Sequence, residues 1–194
     1  MIELAILGLL KERPMHGYQL NRELSEQVGG LWRVSYGSLY PSLRRLERQG
    51  AITSQPGTTG ARRKTVYAIT PEGERLFLEL LEETPQEGQT EDARFRVRLA
   101  FFRYLPPETR VRLLERRRQA LEARLVDVKA HLRDTSTTDD YQRALFDHAR
   151  AGTESDIAWL TELIRNERQR SEITAPVGER RRASATLRRK ERTR

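Results

Sequence analysis

Apolar positions recur at helical spacing along most of this chain, and one segment shows the pattern most clearly. Residues 35–50 read SYGSLYPSLRRLERQG. On a helical wheel its leucines fall within about 40° of the first leucine, and its arginines lie on the opposite side. The leucines are Leu39, Leu43 and Leu46, and the arginines are Arg44, Arg45 and Arg48. The segment is therefore predicted to be a helix with one buried face and one cationic face.

Both ends of this helix carry their own signals. Ser35 is the predicted N-cap, because a serine hydroxyl accepts a hydrogen bond from an amide of the first turn. Ser38 is an alternative cap, since it would place Pro41 in the first turn, where a missing amide hydrogen is tolerated. Gly50 is expected to end the helix.

Two further helices are predicted to precede this segment. Residues 2–12 are apolar almost all round, which is typical of a helix buried on several sides. After a break, a second helix opens at Gly17 and ends at Gly29. Leu20 and Leu24 lie on one face of it.

Two short strands follow the cationic helix and predict a β-hairpin. Residues 51–55 and 65–69 flank the polar loop PGTTGARRK, whose glycines favour a turn. Thr70 and Pro71 then open another helix, with a capping residue and a proline at the first position. The order helix, helix, helix, strand, strand, helix within residues 1–83 is that of a winged helix-turn-helix domain.

The cationic helix has the graded layout that a helix in the DNA major groove needs. Its start carries small or short polar side chains and two tyrosines, so that it can approach base edges closely. Its later arginines can reach phosphates on the groove walls, and the cations of the hairpin loop can reach a neighbouring backbone or minor groove. The predicted DNA-binding residues are Ser35, Tyr36, Gly37, Ser38, Tyr40, Pro41, Arg44, Arg45, Arg48, Arg62, Arg63 and Lys64.

The rest of the chain is predicted to be helical after a linker at residues 84–90. Helices are expected over 91–104, about 106–133 and about 141–168, which makes residues 91–171 a second domain. The long middle helix has apolar positions at alternating spacings of three and four, and such a seam needs a partner helix. The expected dimer contacts are Val111, Leu114, Leu121, Leu125, Val128 and Leu132 on this helix, and Trp159, Leu160 and Leu163 on the last one.

The distribution of charge indicates a third region at the end of the chain. The net charge is +8, but residues 179–194 hold eight Lys or Arg against two Glu. Residues 176–194 are therefore predicted to be a disordered basic tail, whose charge is by itself weak evidence for nucleic-acid binding. The predicted fold is mostly α with a small β-hairpin wing: an N-terminal winged helix-turn-helix domain and a C-terminal helical dimerisation domain.

Composition and motifs argue against several other functions. The chain has no cysteine, which excludes disulfides and thiolate metal sites. Its histidines, His16, His131 and His148, lack metal-ligand spacing, and no phosphate loop or nucleophile elbow is present. No apolar run approaches the roughly 20 residues that span a bilayer, and the start of the chain lacks the pattern of a signal peptide. We therefore expect a non-catalytic cytoplasmic protein without cofactor, metal or membrane partner.

Two other uses of such a module remain as the alternative to DNA binding. Gly57 and Gly60 form a G-x-x-G pattern, which clamps RNA in KH domains, although there it joins two helices rather than two strands. A winged helix used only for protein contact would carry fewer charges at the centre of its interface. The alternative is thus a non-catalytic protein-interaction or RNA-binding module.

Several spaced motifs agree, in order, with those of a known family. The stretches MIELAILGLLKERPMHGYQLNREL, SYGSLYPSLRRLERQGAI and VYAITPEGERL resemble the PadR family of bacterial transcriptional regulators. The matching features are the apolar first helix, the H-G-Y opening of the second, the S-L-Y-P-x-L-x-R-L helix and the Y-x-I-T-x-x-G close of the wing. The helical half, which ends in FDHARAGTESDIAWLTELI, resembles the longer C-terminal domain of the family's larger subgroup.

The resemblance implies a homodimeric repressor that binds an inverted-repeat operator in double-stranded DNA. In this family the C-terminal helices and the first helix form the dimer, which adds Leu4 and Leu7 to the expected dimer contacts. By position, the residues implied to face bases or nearby backbone are Ser35, Gly37, Ser38, Tyr40 and Pro41, and Arg44 is implied to reach phosphate.

The resemblance also implies release from DNA by a small ligand. Some members bind a small hydrophobic or aromatic effector between their domains, and this weakens DNA binding. The aromatic groups that this chain offers for such a ligand are His16, Trp32, Phe101 and Phe102.

Overall fold

The structure is a computed structural model. It describes residues 1–27, 35–57, 64–83, 91–134 and 139–174. The chain divides into two compact units, of which the first ends at Leu105 and the second begins at Pro106. Most described residues are helical, with a small antiparallel sheet in the first unit, and this confirms the predicted fold class.

The elements of the first unit follow the predicted order, with one additional strand near the start. They are α1 (Ile2–Glu12), β1 (Met15–His16), α2 (Gly17–Gln27), α3 (Tyr36–Arg48), β2 (Ile52–Gly57), β3 (Lys64–Ile69), α4 (Pro71–Glu82), α5 (Glu91–Leu99) and a 3-10 helix (Phe102–Tyr104).

Helix α1 forms the centre of the first unit. Its residues from Leu4 to Leu10 are all buried, and it packs against α2, α3, α4 and α5. A helix that is apolar almost all round is stable in water only when other elements cover every face. Leu4 and Leu7 are 4% and 0% exposed. Their side chains belong to this core, and the dimer contacts expected for them stay predictions.

The sheet contains a strand that the sequence did not predict. Met15 pairs with Tyr67 and His16 with Val66 in antiparallel register, so the order in the described sheet is β1-β3-β2. A strand of two residues has no alternation of apolar and polar positions to detect, and the segment was therefore interpreted as a break. The pairing brings His16 beside the hairpin.

The hairpin itself is longer than predicted. Strands β2 and β3 pair from Ile52 opposite Ile69 to Gly57 opposite Lys64, whereas residues 51–55 and 65–69 were expected. Arg62 and Arg63 lie outside the described residues, as does the side chain of Lys64. The wing contacts predicted for these three cations stay predictions.

Helix α4 is fixed to the start of β2 by its N-cap. Thr70 Oγ1 accepts a hydrogen bond from the Gly73 amide at 3.0 Å and donates to the Gly50 carbonyl at 2.6 Å. Gly50 itself has φ of 71°, a conformation that glycine adopts without strain. Gly50, the predicted end of α3, and Thr70, the predicted cap of α4, are thus joined by a hydrogen bond.

Helix α5 and the 3-10 helix pack on the first unit rather than forming part of a second domain. The Arg98 guanidinium donates to the Glu83 carbonyl at 2.9 Å. Phe101 packs edge-on against Phe77 of α4, with ring centroids 5.9 Å apart, and covers Gly8 of α1 so closely that a Cβ there would lie 2.4 Å from the ring. The contacts of the structure divide the chain at residue 105, and the linker expected at 84–90 lies outside the described residues.

Within the described residues, which end at 174, the second unit forms a hairpin of two long helices, α6 (Pro107–Asp134) and α7 (Asp140–Thr174). The helices are antiparallel, since Arg110 near the start of α6 pairs with Glu167 of α7 at 3.1 Å, and Lys129 near the end of α6 pairs with Glu154 at 2.9 Å. Asp139 caps α7 by accepting from the Tyr141 and Gln142 amides at 2.8 and 3.0 Å.

Part of the predicted dimer seam is buried between the two helices of this hairpin. Leu114, Leu121 and Leu160 are between 1% and 4% exposed, because α7 of the same chain covers α6. These three residues thus contact the partner helix within the chain, and their expected role in a dimer stays a prediction. The remaining seam residues are half-buried or, for Trp159, 47% exposed. They are Val111, Leu125, Val128 and Leu163; the side chain of Leu132 lies outside the described residues.

Two further predictions concern the basic tail and membrane-spanning helices. The predicted basic tail at 176–194 lies outside the described residues. No helix in the described ranges is long and apolar enough to cross a membrane.

Candidate nucleic-acid interface

The start of α3 is fixed by a pair of serines. The Ser38 amide donates to Ser35 Oγ at 3.2 Å, and the two hydroxyl oxygens lie 3.0 Å apart, within hydrogen-bond distance. Ser35 is thus the N-cap, and the alternative cap at Ser38 is wrong. Because each hydroxyl already has one partner, either serine can give a DNA base only its remaining hydrogen-bonding capacity.

The apolar face of α3 anchors the helix to the first unit. Leu39, Leu43 and Leu46 are 0%, 1% and 0% exposed, in agreement with the helical wheel. Ser42 is buried beside them and donates its hydroxyl to the Ser38 carbonyl at 2.9 Å, so it leaves no unpaired polar group in the core. These contacts with α1, α2 and β2 determine which side of α3 faces solvent.

The opposite side of α3, here named the outward face, consists of Gly37, Pro41, Arg44 and Arg48, all of which are exposed. Within the part of the chain that the structure describes, no carboxylate forms an ion pair with Arg44 or Arg48. The acid of this helix, Glu47, instead accepts a hydrogen bond from the Ser54 hydroxyl on β2. The outward face therefore presents positive charge and little bulk near the helix start.

Arg45 differs from the other two arginines of α3. Its Nε lies 2.7 Å from Glu3 Oε1 on α1. A phosphate contact by Arg45, as the sequence predicts, would have to compete with this ion pair. The structure thus distinguishes Arg45 from Arg44 and Arg48, which the helical wheel had placed together.

The two tyrosines of α3 flank the outward face. Tyr36 and Tyr40 stack with ring centroids 6.3 Å apart and an interplanar angle of 20°. The ring of Tyr40 also rests on Gly17, where a Cβ would lie 3.2 Å from the phenol oxygen. Any other residue at position 17 would crowd this ring, so Gly17 has a packing role at the start of α2.

Tyr40 forms one wall of an open cleft of about 420 Å³ between α2, α3 and β3. The residues that line it are His16, Gly17, Tyr18, Gln19, Tyr40, Thr65 and Tyr67. Sequence reasoning missed Tyr18, Gln19, Thr65 and Tyr67, because they come together through the pairing of β1 with β3. The H-G-Y motif marks this region in the sequence, but it does not indicate which residues of the hairpin lie beside it.

The surroundings of two residues in the cleft, His16 and Tyr67, bear on their hydrogen bonding. His16 Nδ1 lies 3.2 Å from the Thr65 carbonyl oxygen, and the His16 amide donates to Gln19 Oε1 at 3.0 Å. Burial raises the pKa of Tyr67, and Glu47 and Tyr40 raise it further against the opposing charge of Arg44. The Tyr67 hydroxyl therefore keeps its proton at neutral pH and can donate a hydrogen bond.

The residues predicted to bind an effector are not brought together. His16 lies in the cleft, whereas Phe101 and Phe102 are 1% and 5% exposed in the core of the first unit. Trp32 lies outside the described residues. The expected small aromatic ligand stays a prediction, and Phe101 and Phe102 are better explained as core residues.

The described parts of the chain offer no candidate metal site. They contain no group of three or more His, Asp or Glu side chains placed to hold a metal ion.

Two family models match most of the chain. The model of the "Transcriptional regulator PadR-like family" matches residues 6–88, and the model "Virulence activator alpha C-term" matches residues 93–168. The border between them coincides with the linker expected from the sequence rather than with the structural division at Leu105.

Individual proteins are similar over the same regions. "Transcriptional regulator Rv3488" of Mycobacterium tuberculosis is 37% identical over 98 residues, which cover 47% of this chain and 89% of that protein. "Negative transcriptional regulator PadR" of Bacillus subtilis is 25% identical over 130 residues, which cover 66% of this chain and 71% of that protein. The crystal structure of Bacillus subtilis PadR in complex with operator DNA aligns with a TM-score of 0.42 and 22% identity, over 85% of this chain and 96% of that one.

Proposed function

Because the chain belongs to the PadR-like family of transcriptional regulators, we propose that it binds double-stranded DNA through α3 and the β2–β3 hairpin. We further propose that it acts as a homodimer on an inverted-repeat operator and represses transcription there. The name of the Bacillus subtilis relative, a negative regulator, supports repression over activation.

The observation that carries this proposal is the outward face of α3. Arg44 and Arg48 project from it, and the acid of the helix, Glu47, is held by β2. Phosphate contacts from such arginines supply affinity and fix the register of a helix in the major groove. Gly37 and Pro41 add no long side chain near the helix start, where the backbone must come close to base edges.

The helices of the second unit support a dimer. Val126 of α6 and Leu145 of α7 are 67% and 66% exposed, and Trp159 is 47% exposed. Covering these apolar side chains with another protein surface would remove apolar area from water, which favours association. A second copy of the chain is the simplest partner, because a two-fold dimer would present two copies of α3 to the two half-sites of an inverted repeat.

Selection from a pool of random-sequence DNA duplexes tests the proposal. We expect the full chain to enrich an inverted repeat whose half-sites are spaced by about one helical turn, roughly 10 base pairs, or a multiple of it. A reporter promoter that carries the enriched sequence should be repressed by the protein. Enrichment of no sequence, or equal affinity for an RNA duplex of the same sequence, would contradict DNA-specific recognition.

A further inference from the structure

The cleft beside α3 has the chemistry of a site for an anion. Its lining residues provide phenol hydroxyls, an imidazole, an amide and a threonine, and none of them is acidic. The carboxylate of α3, Glu47, accepts a hydrogen bond from the Ser54 hydroxyl, and its charge, opposed by that of Arg44, still reaches Tyr67 in the cleft wall. The cleft borders α3 at Tyr40, the helix that the proposed function places in the major groove, so a phosphate of the groove wall is the anion that we assign to it.

His16 is the group in this cleft whose charge can change near neutral pH. A carbonyl oxygen can only accept a hydrogen bond, so the 3.2 Å contact with Thr65 favours the tautomer in which Nδ1 carries the hydrogen. In the neutral ring Nε2 then carries none and repels an anion. Protonation places a hydrogen on Nε2 and gives the ring a positive charge while the Thr65 contact is kept.

We infer that His16 is a proton-dependent ligand for one backbone phosphate of bound DNA, in the cleft formed with Tyr18, Tyr40 and Tyr67. This inference rests on the proposed function and names a regulation of the same site. The contact is independent of sequence, because it is made to phosphate rather than to a base.

The groups that face His16 do not reproduce this behaviour. Tyr18 of α2, Tyr40 of α3 and Tyr67 of β3 carry phenol groups, whose usual pKa is about 10. Of the charged groups farther out, Arg44 and Glu47 lie on α3, and Arg13, which precedes β1, is paired with Glu23 of α2. Burial lowers the pKa of the Met1 amine, whose charged neighbours are Glu3, Arg94, Glu83 and Arg45 rather than groups of the cleft.

The direction of the effect follows from linkage. A phosphate favours the protonated ring, so binding of DNA and binding of a proton at His16 strengthen each other. Affinity is therefore expected to be highest at low pH and to fall as pH rises. One such group changes affinity by at most about tenfold per pH unit.

Titration of one fixed DNA duplex with the full chain at constant salt tests the inference. Between about pH 8 and pH 6, which bracket the usual histidine pKa, we expect wild-type affinity to rise by about five- to tenfold. His16→Gln should bind at both pH values about as weakly as wild type at the higher pH. His16→Lys, which keeps a positive charge, should bind tightly at both.

His131→Gln is the matched control, because His131 Nδ1 also contacts a backbone carbonyl, that of Asp127 at 2.8 Å, but on α6. It should keep the wild-type pH dependence. Wild-type affinity that does not change with pH, or a His16→Gln protein that keeps the full change, would overturn the inference while leaving DNA binding intact. Absence of duplex binding at every pH would instead contradict the proposed function itself. Thermal melting of each variant verifies that it is folded.

Discussion

At the scale of single residues, Gly73 determines how closely α4 approaches the start of β2. A Cβ at this position would lie 1.9 Å from the Ala51 carbonyl oxygen, which also accepts a hydrogen bond from the Thr70 amide at 3.1 Å. A backbone carbonyl held in this way has little room to move. We expect Gly73→Ala to lower the free energy of unfolding by about 1–3 kcal/mol, the usual cost of overpacking, as measured by urea denaturation.

Gly152 provides the matched control for that substitution. It lies inside α7, and nothing comes within 4 Å of the position that a Cβ would occupy. Gly152→Ala should raise the free energy of unfolding by about 0.5–1 kcal/mol, because alanine loses less backbone entropy in a helix. Equal destabilisation by both substitutions would show that the Ala51 contact is not the cause.

A second residue-scale prediction separates two neighbouring arginines. Arg45 is paired with Glu3, whereas Arg44 projects from the outward face of α3. We therefore expect Arg44→Ala to weaken duplex binding more than Arg45→Ala does, since exchanging one ion pair for another changes the free energy little. Titrations of one duplex at fixed low salt measure both, and equal losses would mean that Arg45 leaves Glu3 when DNA binds.

At the scale of elements, the cap of α3 can be tested by two serine variants. Ser35 Oγ accepts from the Ser38 amide, so Ser35→Ala leaves a first-turn donor without its partner. This should cost about 1 kcal/mol of stability, the typical cost of losing an N-cap. Ser38→Ala keeps the amide donor and removes only the hydroxyl, so its cost should be smaller. The reverse order in urea denaturation would contradict the assigned cap.

Elements defined by long periodic patterns could be predicted, and those that depend on tertiary contact could not. The buried face of α3, with Leu39, Leu43 and Leu46, follows from spacing alone. Strand β1 exists only because β3 lies beside it, so the cleft around His16 could not be foreseen. The burial of Phe101 likewise depends on the absence of a side chain at Gly8, a contact between residues far apart in sequence.

The helical hairpin shows the same limit for interfaces. A seam of apolar residues on α6 predicts that a partner helix exists but does not say to which chain it belongs. The structure assigns Leu114 and Leu121 to contact within the chain. Val111, Leu125 and Val128 of the seam are half-buried, and Val126 and Leu145, which lie outside the predicted seam, are exposed.

At the scale of the whole molecule, dimerisation should depend on the exposed side of the α6–α7 hairpin. Val126 and Leu145 are 67% and 66% exposed, so glutamate at both positions should leave the fold intact and weaken a dimer through desolvation of charge. Leu78→Glu on α4, a residue that is 39% exposed in the first unit, is the control. Sedimentation at micromolar concentration should show a wild-type dimer and a monomeric double variant. A monomeric wild type would contradict the dimer.

The salt dependence of duplex binding tests the central proposal most directly, because phosphate contacts release counterions. Each lost contact makes the slope of log affinity against log salt shallower by about 0.9. The double variant Arg44→Ala, Arg48→Ala should therefore bind more weakly than wild type, with a slope shallower by about 2. Arg75→Ala on α4, where Arg75 is paired with Glu72, should leave both affinity and slope unchanged. If the double variant kept the wild-type affinity and slope, the outward face of α3 would not be the surface that binds DNA.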